Sequence, residues 1–191
     1  MVRATANKSI RTYNLFGEDG DLPDVVHCET IAARSVLHEW EFAPHRHARL
    51  HQILLIARGG GQAILEDGSH ALGAMRVVNV PVGDVHGFSF QPGTQGWVVT
   101  IAAETLDEVL PPSEGLRRVL AQAAVLRGTR QIRLMMEQIF AEFAGRDFAR
   151  AHVLRALSAA LIGLVAALLA FAVEVGVFVY HGDEWKCKEL P

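Results

Sequence analysis

Apolar positions alternate in short runs through the first half of the chain and recur every three or four residues through the second. Arg34 to Phe42 alternates and stops at Pro44, which predicts a strand. Gln52 to Ala57 is a short apolar run, and Gly59-Gly60-Gly61 after it fits only a turn or bulge. Ala63 to Leu65 leads into Asp67-Gly68, a hairpin signal. Arg76 to Val80, Gly87 to Phe90 and Trp97 to Ile101 follow, separated by Pro81-Val82-Gly83 and Pro92-Gly93. Short strands with regular turn signals predict a sandwich or barrel over residues 31–104, after an irregular lead-in at 1–30 broken by Gly17, Gly20 and Pro23.

Near Thr105 the period changes. Pro111-Pro112-Ser113 reads as a helix start with Ser113 as cap, followed by Leu116, Val119, Leu120 and Ala123 at helical spacing. Gly128 stops that helix, Thr129 caps the next, and Ile132, Met136, Ile139, Phe140 and Phe143 form its apolar stripe up to Gly145. Asp147 is expected to cap a third helix carrying Val153, Leu154, Leu157, Leu161, Leu164, Leu168 and Phe171. Residues 105–173 therefore form a helical segment, and 174–191 carry no assignable pattern.

Ala156 to Val173 is eighteen residues without a charge, within reach of a membrane span. Its content is rich in alanine, with Ser158 and Gly163 inside and leucines mainly on one face, so a buried or subunit-interface helix is the better reading. Leu157, Leu161, Leu164, Leu168 and Phe171 form the stripe expected to hold a homodimer.

The chain of 191 residues, half of them hydrophobic, suits one domain with a helical appendage. Its two cysteines, Cys28 and Cys187, make no framework, and Met1 to Arg11 lack an apolar signal core, so a reduced cytoplasmic compartment is expected. Net charge is −3: residues 1–112 carry 8 Lys/Arg against 13 Asp/Glu, and residues 113–155 carry 8 Arg against 4 Asp/Glu. No dense basic surface marks a nucleic-acid binder; the arginines read as solvated helix faces.

The chemistry concentrates in two places. Pro44-His45-Arg46-His47 is followed by Gln52 and Gly59, and Gly73 is followed by Pro81-Val82-Gly83-Asp84-Val85-His86. Strand parity puts His45 and His47 on one face, Gln52 with Leu54, and His86 with Phe88 and Phe90. His51 has the opposite parity and points away. Trp40 and Trp97 either line the pocket or pack beneath it, core packing being the safer reading; Trp97 is kept among the ligand-binding candidates. His27, His38, His70, His152 and His181 share no spacing and read as surface or loop residues, and no helix follows Gly59, Gly68 or Gly83 to make a phosphate loop. Three neutral imidazoles suit Zn, Ni, Cu or Fe(II), but a neutral Gln52 supplies no charge, so no cofactor is expected; any divalent metal would sit on His45, His47 and His86. The other use of these histidines is hydrogen bonding to one another, the backbone or an organic ligand.

The two motifs resemble the paired motifs of the cupin fold. In metal-binding cupins the Gln52 position is usually Glu. Beyond them, Tyr13-Asn14-Leu15-Phe16-Gly17-Glu18, Val26-His27-Cys28-Glu29-Thr30-Ile31, Leu50-His51-Gln52-Ile53-Leu54 and Pro92-Gly93-Thr94-Gln95-Gly96-Trp97 are similar to AraC-type transcriptional regulators with an N-terminal cupin, and look closest to the branch of the 4-hydroxybenzoate-responsive activator. The resemblance spans about Tyr13 to Leu169. It implies a barrel that senses a small effector, often an aromatic acid or a sugar, helices that dimerise, and a further DNA-binding domain with two helix-turn-helix units. After Leu169 the path into that domain is missing, so the chain is expected to be a truncated, frameshifted or excised sensor half that does not bind DNA itself. The expected fold is mainly β, a cupin-type barrel (double-stranded β-helix) followed by a helical dimerisation segment, soluble and not an enzyme. Two other readings stay open: a stand-alone metal-dependent cupin enzyme, such as a dioxygenase or isomerase, and a ligand-free dimer scaffold.

Overall fold

The computed structural model describes residues 10–13, 26–110, 115–174, 178–181 and 184–187. Ser113, most of the lead-in with Asn14 to Glu18 of its motif, and much of the tail lie outside them. Two five-stranded sheets face one another as a cupin-type barrel. The first runs in the order β1 (Arg11–Tyr13), β3 (Glu41–His47), β8 (His86–Phe90), β5 (Gly61–Leu65), β6 (Gly68–Leu72). The second runs β10 (Ala124–Arg127), β7 (Arg76–Val80), β4 (Leu50–Arg58), β9 (Gln95–Ala102), β2 (Val26–Thr30). All pairings are antiparallel except β1 with β3. β2 and β10 extend the sheet beyond residues 31–104 on both sides. The tail adds a two-stranded ribbon, β11 (Phe178–His181) with β12 (Glu184–Cys187).

Helices cover the second sheet: α2 (Ala103–Val109), α3 (Leu116–Leu120), α4 (Arg130–Ala144) and α5 (Arg150–Glu174). The Thr129 hydroxyl accepts from Ile132 N at 3.2 Å, the expected cap of α4. Asp147 does not cap α5; that helix begins three residues later, and Arg150 at its start donates to the Phe143 carbonyl at 2.7 Å, closing the end of α4.

One strand of the sequence reading is absent. Arg34 to Phe42 is not extended: α1 (Ile31–Val36) and a turn occupy most of it, and only Glu41 and Phe42 open β3. Thr30 caps α1 by accepting from Ala33 N at 3.1 Å, and that local bond overrides the alternation of Val36, His38 and Trp40. The turn after α1 holds Glu39 and Trp40 at φ 52° and 63°, left-handed conformations that strain side chains with a Cβ.

β4 is buried on both faces from Leu50 to Ile56 and so divides the interior in two. One apolar cluster lies inside the barrel around Leu54, Val78, Val98, Phe88 and Phe90. The other lies between sheet and helices around Ile53, Leu55, Val77, Val99, Met136, Leu161 and Val165. Helix α5 is long and apolar enough to cross a membrane, with a hydropathy of 2.6, and 39% of that window is buried within the protein. Its buried face, Leu154, Ser158, Leu161, Val165, Leu169 and Ala172, closes the helix-side core. The expected dimer stripe is offset from this face. Leu161 belongs to the core at 0% exposure, Leu157, Leu164 and Leu168 are half-buried against the same cluster, and Phe171 is 60% exposed.

Candidate functional site: a histidine-ended cavity inside the barrel

The site begins with a bulge. β3 pairs with β8 at Phe42↔Phe88 and again at His45↔His86, with a register shift between, and Pro44 sits in the shift. Proline cannot donate to a ladder, so a bulge is where a strand tolerates it. Gly87 lies beneath: a Cβ there would approach the Phe42 carbonyl to 2.9 Å. The bulge sets His45 opposite His86. The Pro81–Gly83 turn is tied to the end of β3 by Gly83 N donating to the His47 carbonyl at 2.9 Å, which brings the two motifs together.

The imidazoles converge. Ring centroids are 4.5 Å apart for His45 and His86, 5.0 Å for His45 and His47 and 5.4 Å for His47 and His86. One ligand nitrogen from each lies within 4.8 Å of the other two. Gln52, buried beside them, donates its amide N–H to Thr100 Oγ1 at 3.2 Å. Burial lowers the affinity of His45 and His86 for a proton, that of His86 to a pKa of about 4, with the His45 ring adding to the effect on His86. Beside them burial, and then Glu66, raise Asp84 to about 6.

These residues close one end of a cavity of about 430 Å³. Leu54, Phe88, Phe90 and Val98 form apolar walls, and the Phe88 and Phe90 rings stack at 5.4 Å and 9°. Of the expected ligand-binding residues, His45, His47, Gln52, Leu54, His86, Phe88 and Phe90 line it. Trp97 does not. It pairs with Leu55 rather than Leu54, so it faces the helices and packs against their cluster, and Val98 takes the cavity position. The wall supplied by α1 and the turn after it was missed: Ile31, Arg34 and Ser35 on the helix and His38 in the turn line the cavity, with Arg11, Glu29 and Glu41 in the same lining. Thr30 ahead of Ile31-Ala32-Ala33 is the signal that would have revealed that helix. Arg34 pairs with Glu29 at 4.0 Å, and Ser89 donates to Glu41 at 2.6 Å.

His51 does point away from the cavity, but it is not on the surface. It is buried under the helices, its Nε2 2.8 Å from Asn79 Oδ1, and burial lowers it to about 4. The Asn79 amide donates to the carbonyls of Leu120 at 3.0 Å and Gln122 at 2.6 Å, tying the end of α3 to the barrel. Of the scattered histidines, His27 packs half-buried against Phe143, His70 bonds Asp67 at 2.7 Å, and His152 is exposed.

As a metal site, the three imidazoles fit in donor type and in support. His45 and His86 each hold Nδ1 on a backbone carbonyl, as metal-bound histidines do. The fourth position, Gln52, offers no charge.

The model of the AraC-like ligand-binding domain matches residues 28–165, and the chain belongs to that family. Among solved structures, it is similar to ToxT from Vibrio cholerae O395 bound to (E)-4-(8-methylnaphthalen-1-yl)but-3-enoic acid (7% identity, TM-score 0.49, 76% of this chain and 58% of that one). Unsaturated fatty acid-bound ToxT from strain SCE256 gives 9% identity and a TM-score of 0.48 over 80% of this chain and 57% of that one. The AraC-like transcriptional activator CuxR gives 10% and 0.44 over 76% and 49%. The chain thus spans less than three fifths of each, and these likenesses carry no functional argument. No curated protein matches the sequence.

Proposed function

We propose that this chain is the effector-sensing part of an AraC-type transcriptional regulator in the cytoplasm, and that its barrel cavity binds a small organic ligand. One observation carries the reading: a cavity of about 430 Å³, walled by stacked phenylalanines, is lined at its polar end by three converging imidazoles. That volume lies within the range of small-molecule sites, about 300–1,000 Å³. The finer placement beside 4-hydroxybenzoate-responsive activators, and with it an aromatic acid effector, rests on the sequence resemblance.

The reading is of a sensor rather than an enzyme, working without a resident metal. The carboxylates that line the cavity are engaged, Glu29 with Arg34 and Glu41 with Ser89, so neither is poised as a general base. The metal-enzyme alternative draws on the three-imidazole cluster. Native mass spectrometry of protein purified without an affinity tag separates the two. A co-purified small organic molecule supports the sensor; stoichiometric Fe, Ni, Zn or Cu with no such molecule overturns it.

We further propose a homodimer through the flank of α5 that carries Leu164, Leu168 and Phe171, with no membrane insertion and no specific DNA contact by this chain. Sedimentation should give a dimer at micromolar concentration, and Leu164→Asp with Phe171→Asp a folded monomer. A monomer in the unmodified chain, or a need for detergent, sinks this part.

A further inference from the structure

The polar end of the cavity is rich in acceptors. His86 gives its Nδ1 proton to the Asp84 carbonyl at 2.9 Å, and His45 gives its own to the Ala43 carbonyl at 2.8 Å. A carbonyl can only accept, so the single proton of each neutral ring is on Nδ1 and Nε2 is a lone pair. An ordinary imidazole is mostly neutral above about pH 7. His86 is 1% exposed, and its Nε2 is buried without a hydrogen-bond partner. Ser35 Oγ, on α1, is a second cavity-lining atom buried without one. A buried polar atom left unpaired destabilises the empty site, and a matching ligand group removes that cost.

The body of the ligand is set by the walls. Phe88 and Phe90 present stacked faces, Phe42 stands edge-on to Phe90 at 6.2 Å, and Leu54 and Val98 complete an apolar surface. Flat walls of this kind favour a planar ring.

We infer that the histidine end of the cavity takes a hydroxyl on a planar apolar ligand, a phenol donating to His86 Nε2, and that it rejects a carboxylate. A carboxylate offers only lone pairs and would meet lone pairs; a phenol is neutral near pH 7 and donates its proton. A carboxylate elsewhere on the same ligand has the guanidinium groups of Arg11 and Arg34 in the cavity lining. This rests on the cavity being the effector site. A divalent cation would use the same lone pairs.

The test uses the full 191-residue chain, stripped with EDTA, and three fluorine-labelled probes followed by fluorine NMR: 4-fluorophenol, 4-fluoroanisole and 4-fluorobenzoate. The phenol should bind about ten-fold more tightly than the anisole, the size of one satisfied acceptor, and the benzoate, whatever its affinity, should not engage His86 Nε2. In protein labelled with ¹⁵N-histidine, the phenol and not the anisole should shift the His86 Nε2 resonance. His86→Phe should bring phenol and anisole affinities together; where that variant does not fold, the ¹⁵N shift in the unmodified chain decides. Equal binding of the phenol and the anisole, or a benzoate that shifts the His86 Nε2 resonance as the phenol does, overturns the hydroxyl assignment and leaves the effector cavity standing. Binding of none overturns both. Stoichiometric uptake of Zn²⁺ added alone, moving all three imidazole signals, makes the lone pairs metal ligands and overturns the assignment.

Discussion

The two faces of the second sheet hold the same kinds of residue to different ends. On the helix side a histidine and an amide are buried together and satisfied: His51 meets Asn79, and Asn79 meets two backbone carbonyls. On the barrel side a histidine is buried just as deeply, yet His86 Nε2 has no hydrogen-bond partner, and the residue lines a cavity. The helix side leaves only Ser158 Oγ unpaired among its described side-chain atoms. Satisfied polar contacts and dense packing hold the sheet to its helices; unsatisfied polar atoms and empty volume keep the barrel receptive.

The comparison breaks most visibly at Asn79. Asn79→Ala removes its bonds to His51, Leu120 and Gln122 at once and leaves buried groups unpaired. The expected loss in urea unfolding is about 3 kcal/mol or more. A loss under about 1 kcal/mol would mean that the helix side does not depend on this polar tie.

A smaller effect separates the faces by pH. His51 and His86 each fall from an ordinary value of 6.5 to about 4 in the folded chain. Between those values the unfolded chain binds more protons, so stability is lost as pH falls. Asp84, raised to about 6, works in the opposite direction, because folding then favours its protonated form. Two histidines outweigh one half-buried carboxyl, giving a net loss of about 2 kcal/mol from pH 7 to pH 5. His51→Gln should remove about half of the histidine contribution. A stability that is flat over this interval contradicts the buried neutral rings.

The smallest effect is expected on the barrel side. His86→Phe gives up one hydrogen bond, to the Asp84 carbonyl, together with an unpaired nitrogen, for an apolar ring of similar size, and should change stability by less than about 1 kcal/mol, in contrast to Asn79→Ala. Equal losses from the two substitutions would erase the distinction drawn between the faces.

Much of the barrel was legible because its parity is strict. His45 and His47 two residues apart, Gln52 with Leu54, and Phe88 with Phe90 fall on one side wherever the strands are extended. The same parity hid what lies behind it. His51 reads as pointing away, and only the fold shows that away means under a helix. Trp97 is one residue from the cavity and wholly on the other face, a distinction that depends on its register with Leu55. The wall at α1 was illegible for a different reason. Val36, His38, Trp40 and Phe42 alternate as a strand would, and a single capping bond from Thr30 turns the segment's start into a helix. In α5, apolar residues crowd every side, so the stripe that faces the core cannot be told from its neighbour by spacing.

The tie between Asn79 and the end of α3 also bears on how this sensor could be transplanted. Modular engineering would cut after Ala102, where the last barrel strand ends and the helices begin. That cut would strip β10 from the edge of β7 and remove both carbonyls that Asn79 holds. The portable unit is therefore the barrel with β10 and with the helices α4 and α5 that cover its second sheet, and a chimera joined upstream of Ala124 would inherit an open sheet edge in place of a linker.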